Sequence, residues 1–298
     1  MLLFLGPVVQ SQAQEESWFK VPKRGFVSWQ PAQSWEHGLL SGNGTMGALV
    51  NGQPHEETII LTESNLFLPI NAPQKAINQA SRLAEVRKLL LAGKNEEAAK
   101  IPVQQREKEG YKIGGDPFIP AFQLKIAQQG GNISRYQRSV NFETGEASVS
   151  WKDAEGSFER RVFVSRPDSV IVVSIRGTGK INCTLNFEQV PVEWNQWEFV
   201  KSAVKEMSSS ASDQWLSYHC DFKNHYPGRI QGYEGLGRLI LDGGTSKVLN
   251  NKVQISGEIS VMLLIKISPS AEIRKSLIDN LKSQLQAIPA DYDQLSAR

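Results

Sequence analysis

Phe158-Glu159-Arg160-Arg161-Val162-Phe163-Val164, a turn at Pro167-Asp168, and then Val170-Ile171-Val172-Val173-Ser174-Ile175 is the stretch that decides the fold. Both runs are rich in β-branched and aromatic residues, and only a short turn separates them. A parallel crossover needs a dozen or more residues, usually a helix, so these two strands must run antiparallel. Working outward, the same pattern occurs upstream in Phe122–Ile126 and Ala147–Trp151, with turn residues at Gly130-Gly131, Gly145 and Glu155-Gly156. Beyond a polar stretch from Lys201 to Asp213 it returns in Trp215–Phe222, Arg238–Asp242, Lys252–Ser256 and Ile259–Ile267. Short strands at this spacing without intervening helices predict a mainly β fold of antiparallel sheets packed as a large sandwich.

Two helical segments interrupt that pattern. Leu83, Val86, Leu89 and Leu90 fall on one 3.6-residue face, Gly93 stops that helix, and Asn95 is placed to cap a second one running to about Glu107. This small helical hairpin follows the strand hairpin of Met46–Val50 and Glu57–Leu61, whose turn is Asn51-Gly52-Gln53-Pro54. At the other end Ile273, Leu277, Ile278, Leu281 and Leu285 predict a helix over 271–287, and Pro289-Ala290-Asp291-Tyr292 opens another that runs out at Arg298.

With 298 residues, 40% of them hydrophobic and 21% charged, the chain has the composition of an ordinary globular protein. Its 33 basic and 31 acidic residues are spread along the whole length, so nothing marks a nucleic-acid or anionic-membrane surface. Leu2–Val9 is apolar but too short to span a bilayer, and the small-x-small Ser11-Gln12-Ala13 after it reads as a secretory signal over 1–14. That places the protein outside the cytoplasm, secreted or periplasmic. Cys183 and Cys220 are compatible with one disulfide or with two buried thiols.

Gly42-Asn43-Gly44-Thr45-Met46-Gly47 satisfies G-x-G-x-x-G, but the glycines precede a strand where a dinucleotide fingerprint follows one and opens a helix. Tight-turn geometry is the plainer explanation. His37, His55, His219 and His225 show no ligand spacing, so no metal is implied, and no G-x-S-x-G elbow occurs. A glycosidase needs two carboxylates across a cleft, and the sequence does not pair Glu36, Glu56, Glu57, Glu63, Asp116 and Glu234. Of the seven tryptophans, Trp29 and Trp35 flank the glycine loop and Trp194 and Trp197 lie three apart; Trp35 is the candidate for stacking on a sugar face.

The string Trp35-Glu36-His37-Gly38-Leu39-Leu40-Ser41-Gly42-Asn43-Gly44-Thr45-Met46-Gly47-Ala48-Leu49-Val50, followed by Glu57-Thr58-Ile59-Ile60-Leu61-Thr62-Glu63, resembles the opening of glycoside hydrolase family 95, the α-L-fucosidase-like enzymes. Glu85–Leu90, Gly110-Tyr111, Val164–Val172, Gly232-Tyr233-Glu234-Gly235 and Asp291–Leu295 extend the resemblance over nearly the whole chain, in order. It implies an N-terminal super-β-sandwich over 15–269, the start of a helical linker over 270–298, and then a catalytic (α/α)6 barrel that the chain stops short of. In that family the general acid and the group activating water lie in the barrel, in an inverting arrangement. The expectation is therefore a non-catalytic domain with no catalytic residue and no cofactor, whose partners are the barrel and, in the intact enzyme, fucosylated or galactosylated glycans. The resemblance turns the glycine loop toward the substrate end of the barrel, which makes His37 and Asn43, with Trp35, the candidate substrate-binding residues. The family often has Asp and Trp after Glu63, where this chain has Ser64-Asn65-Leu66-Phe67, so the sugar stays open. The alternatives are a free-standing carbohydrate-binding module and an interaction domain serving a separate barrel.

Overall fold

The structure, a computed structural model, describes residues 19–111, 114–191, 197–272 and 276–298. The segment read as a signal, together with Trp194 and Ile273, lies outside the described residues. In chain order the strands are β1 Gly25–Ser28, β2 Leu39–Gly42, β3 Met46–Val50, β4 Glu56–Glu63, β5 Phe122–Gln128, β6 Arg135–Asn141 and β7 Glu146–Lys152. They continue with β8 Ser157–Ser165, β9 Val170–Glu188, β10 Val204–Ser212, β11 Trp215–Phe222, β12 Gly232–Asp242, β13 Thr245–Leu249 and β14 Lys252–Ser270. The helices are α1 Leu83–Leu91, α2 Asn95–Lys108, α3 Trp197–Ala203, α4 Ile278–Ala287 and α5 Tyr292–Ser296. The mainly β, antiparallel fold expected from the sequence is what the structure has.

The fourteen strands form one sheet that curls into two facing layers. One layer runs β1-β6-β7-β8-β9-β14-β12-β11-β10, and the other is β2-β3-β4-β5 joined to β9, with β13 on β14. Two 19-residue strands, β9 and β14, belong to both layers. The first half of β9 pairs with β8 (Val173 opposite Val162) and its second half with β5 (Leu185 opposite Ile126). β14 follows β9 through the same corner, with register breaks between Ile255 and Ser260 and Gly257 at φ 74°. A strand turning such a corner needs a bulge or a residue without a side chain. On β9 that residue is Gly179, where a Cβ would collide with the carbonyl oxygen of Glu155. Sequence reading takes these glycines for strand ends, so it stops β9 at Ile175 and splits β14 in two; the corner makes each continuous.

Alternation along the strands fills the space between the layers with Ile59, Leu61, Leu124, Ile126, Val149, Trp151, Phe158, Val162, Ile171 and Val173, all 2% exposed or less. A second cluster lies on the opposite face, where Phe163, Val170, Val172 and Leu264 meet Leu281 and Leu285 of α4 and Tyr292 and Leu295 of α5. This is why β9 opens with an unbroken apolar run: helices cover its outer face as the other layer covers its inner one. Burying each leucine of α4 contributes about 1.5–3 kcal/mol. α4 is further held by the Glu234 carboxylate, which accepts from the Leu277 amide at 2.5 Å, and by Arg238, which donates to the Leu285 carbonyl at 3.0 Å. Asp291 caps α5 by accepting from the Gln294 amide at 3.0 Å.

Two elements differ from the sequence expectation. Lys201–Asp213 reads as a polar spacer, yet it contains β10, an edge strand bonded to β11 alone; with one face in water it needs no apolar run. Asn95 does not cap the second helix. Gly93, at φ 73°, lets the Lys94 amide close back on the Leu89 carbonyl at 2.9 Å, and the Lys94 carbonyl then accepts from Ala98 at 3.0 Å, so the helix starts from Lys94.

A buried ion pair ties the layers together. Arg160 of β8 and Glu57 of β4, both without side-chain exposure, meet at 2.9 Å. The guanidinium also donates to the Gln53 and Pro54 carbonyls, each at 3.1 Å, and the carboxylate accepts from the Gly52 amide at 2.9 Å and the Thr58 amide at 3.0 Å. The pair thereby fixes the β3–β4 turn as well as the layer spacing. Removing one partner strands the other charge, so Arg160→Met or Glu57→Leu alone is expected to lower unfolding free energy by about 3–5 kcal/mol in urea denaturation. The double variant is expected to lose clearly less than the sum of the two.

On the outer face, Glu159 sits under α5 with Arg161 at 2.7 Å, and burial pushes its carboxyl up to about 6 against the pull of Arg161. The fold thus favours the protonated form. Its contribution is fully present below the unfolded value of 4.5 and is lost as pH rises through about 6. We expect unfolding free energy to fall by about 2 kcal/mol across that window from this group, and Glu159→Gln to flatten the fall in denaturation series at several pH values.

Candidate functional site

The lead-in Gln30–His37 crosses the open side of the sandwich, where edge strands β1 and β2 of the two layers face each other. Ser34 accepts from the His37 amide at 3.1 Å and Trp35 from the Gly38 amide at 3.0 Å, closing a single 3-10 turn with its side chains outward. Arg138 of β6, 5% exposed, donates to the His37 carbonyl at 2.8 Å and the Asn51 carbonyl at 3.2 Å, pinning the turn from below. Gln53 donates to the Ala32 carbonyl at 2.8 Å and stitches the start of the loop to the β3–β4 turn.

The result is a groove of 570 Å³ whose walls include Phe26, Gln30, Gln33, Glu36, His37 and Phe142, with Arg138 in its floor. Phe26, Phe142 and Leu40 stand at least half exposed in it, and Trp29 and Trp35 are exposed on the same loop. The Ser34 hydroxyl and its own backbone amide hold the Glu36 carboxyl below the usual range, so it is an anionic acceptor at neutral pH. The structure thus brings Trp35 and His37 to one place. Phe26, Arg138 and Phe142 were not legible as site residues, because Arg138 and Phe142 arrive from a hairpin about a hundred positions away and no local motif marks them.

Asn43 lies at the other end of β2 and does not line the groove. Its Oδ1 accepts from the Thr45 amide at 2.9 Å and the Met46 amide at 2.8 Å, while Nδ2 donates to the Ser165 carbonyl at 3.1 Å. With Gly44 at φ 95° beside it, Asn43 shapes the glycine loop and bridges the layers.

Of the carboxylates noted in the sequence, Glu36 and Glu56 are exposed and the others are engaged by the fold. Glu57 holds Arg160, Glu63 accepts from the Asn65 amide at 2.8 Å, and Glu234 holds α4. Asp116 accepts from the Ile70 and Asn71 amides, both at 3.2 Å, at the edge of a second groove of 670 Å³. Among the described residues, Glu36 is the carboxylate that lines the first groove and Asp116 the one that lines the second. His55 pairs with Asp153 at 3.1 Å, His219 with Glu234 at 3.3 Å, and His225 donates to the Phe222 carbonyl at 2.8 Å. Among the described residues no three His, Cys, Asp or Glu side chains converge as a metal site. Cys183 and Cys220 are buried free thiols, both pushed up to about 12 by burial.

Residues 27–272 match the sequence pattern of the family described as "Glycosyl hydrolase family 65, N-terminal domain". This chain belongs to that family. Relatives similar in sequence supply the scale. "Alpha-L-fucosidase 2" of Arabidopsis thaliana is 27% identical over 164 residues, which are 53% of this chain and 19% of that protein. "Probable alpha-fucosidase A" of Aspergillus oryzae is 22% identical over 231 residues, 73% of this chain and 31% of that protein. The chain therefore spans less than a third of either relative. Among solved structures, "Putative kojibiose phosphorylase from human microbiome" superimposes with a TM-score of 0.53 at 8% identity, over 94% of this chain and 38% of that one, a likeness of fold. The motif resemblance and the family match agree that this is the N-terminal domain of a glycoside hydrolase.

If Asn43 is a structural residue of that domain, Asn43→Ala should lower its unfolding free energy by about 1–3 kcal/mol, since three hydrogen bonds go with the amide. Thermal denaturation followed by circular dichroism reads the difference.

Proposed function

We propose that this chain is the non-catalytic N-terminal domain of a family 95-type α-L-fucosidase or related exo-glycosidase acting on glycan side chains. The observation that carries this reading is the pair of fucosidase relatives, which the chain matches over 53% and 73% of its length. The single carboxylate in each groove supports the non-catalytic role, because inversion needs an acid and a base held about 6.5–9.5 Å apart. On this reading a catalytic domain, in the same polypeptide or a separate one, supplies both groups, and the sandwich positions it. The apolar run Leu2–Val9 and the small-x-small motif after it support export, with the working enzyme secreted or periplasmic.

The test compares the chain alone with the enzyme completed by its catalytic domain on fucosylated and galactosylated oligosaccharides. Fucose release by the completed enzyme and none by this chain is the expected result. Release by this chain alone removes the non-catalytic reading, and a completed enzyme that frees another sugar but never fucose removes the fucosidase reading.

A further inference from the structure

We propose that the groove between β1 and β2 is itself a binding site for a neutral oligosaccharide, a proposal that rests on the reading of this chain as part of a glycan-processing enzyme. Sugars present two chemistries at once: apolar C–H faces that lie on aromatic rings and equatorial hydroxyls that pair with amides and carboxylates. Both are built into this groove. Phe26 of β1 and Phe142 just past the paired strand β6 bring exposed rings side by side from one wall, and Trp35 and Trp29 carry exposed rings on the loop that forms its rim. Between them stand the amides of Gln30 and Gln33, the Glu36 carboxylate and the His37 imidazole. A surface made to dock a protein would keep its centre dry and apolar with polar groups at the rim; this lining combines Gln30, Gln33, Glu36 and His37 with Phe26 and Phe142.

Charge selects a neutral ligand. Glu36 and Arg138 are the two permanently charged residues of the lining and are opposite in sign, so neither an anionic nor a cationic sugar gains. The site is also formed in advance. Arg138 clamps the His37 carbonyl, the 3-10 turn fixes Trp35 to Gly38, and Gln53 holds the loop at Ala32, so binding orders little that is not already ordered. None of these features depends on hydrolysis taking place, which is why binding is measured on this chain by itself.

Isothermal titration of the chain with a fucosylated, a galactosylated and a glucose-only oligosaccharide is expected to show saturable binding of at least one, with quenching of tryptophan fluorescence. Trp35→Ala and Phe142→Ala, both at exposed positions, are expected to weaken that binding at least tenfold each while leaving the thermal transition in place. Absence of binding by all three sugars up to their solubility limits overturns the proposal, as does binding that is unchanged in both variants. Failure of the fucosidase reading looks different: the completed enzyme releases no fucose while the groove still binds sugar.

Discussion

The Arg160–Glu57 pair is the constraint on which the rest of the sandwich depends. A fully buried guanidinium and carboxylate are tolerated only if they are paired and well hydrogen-bonded, and here the β3–β4 turn supplies partners to the Arg160 Nη atoms and the Glu57 carboxylate. That turn is in turn the anchor for the groove, since Asn51 accepts from Arg138, Gly52 accepts from the Tyr136 hydroxyl at 2.6 Å, and Gln53 holds Ala32. A charge pair in the core thus reaches the surface through three successive residues of one hairpin. The candidate sugar site inherits its shape from an interaction that touches no ligand.

Much of the fold was legible because local pattern and tertiary role agree. β3 with β4, β7, β8 and the first half of β9 have the periodicity of the faces they bury, and the helical hairpin has the period of its helices although Leu83–Leu91 buries no side chain. What escaped was non-local. β6 and β10 carry polar residues because parts of them face water or the interlayer hydrogen-bond network, so their period is masked. The corners of β9 and β14 look like endings because glycine serves both purposes. Glu57 and Arg160 lie 103 positions apart, and nothing near either names the other.

The site was legible to the same degree and for the same reason. Trp35 and His37 share a short turn, and the structure places His37 in the groove wall with Trp35 exposed beside it. Asn43 belongs to the same motif, but β2 carries it away to the far end, where its amide closes the glycine loop. A sequence motif records neighbourhood along the chain; the groove is assembled across it, from Phe26, Arg138 and Phe142. The helices after residue 276 show the converse, since their apolar stripe is plain in sequence while its target, the outer face of β8, β9 and β14, is fixed only by the curl of the sheet.

That curl sets an order of events. Among the described residues β14 is the last strand of this sheet, and it joins β9 to β12 and pairs with β13. Until it has left the ribosome, β9 and β12 each offer a long unpaired edge, and the outer face of β9 lacks the helices that cover it. Residues as distant as Ile171 and Ile265 must then pair to finish the sheet, a high-contact-order closure that is slow and exposes strand edges meanwhile. Native assembly of the sheet is therefore deferred to the moment synthesis passes that strand.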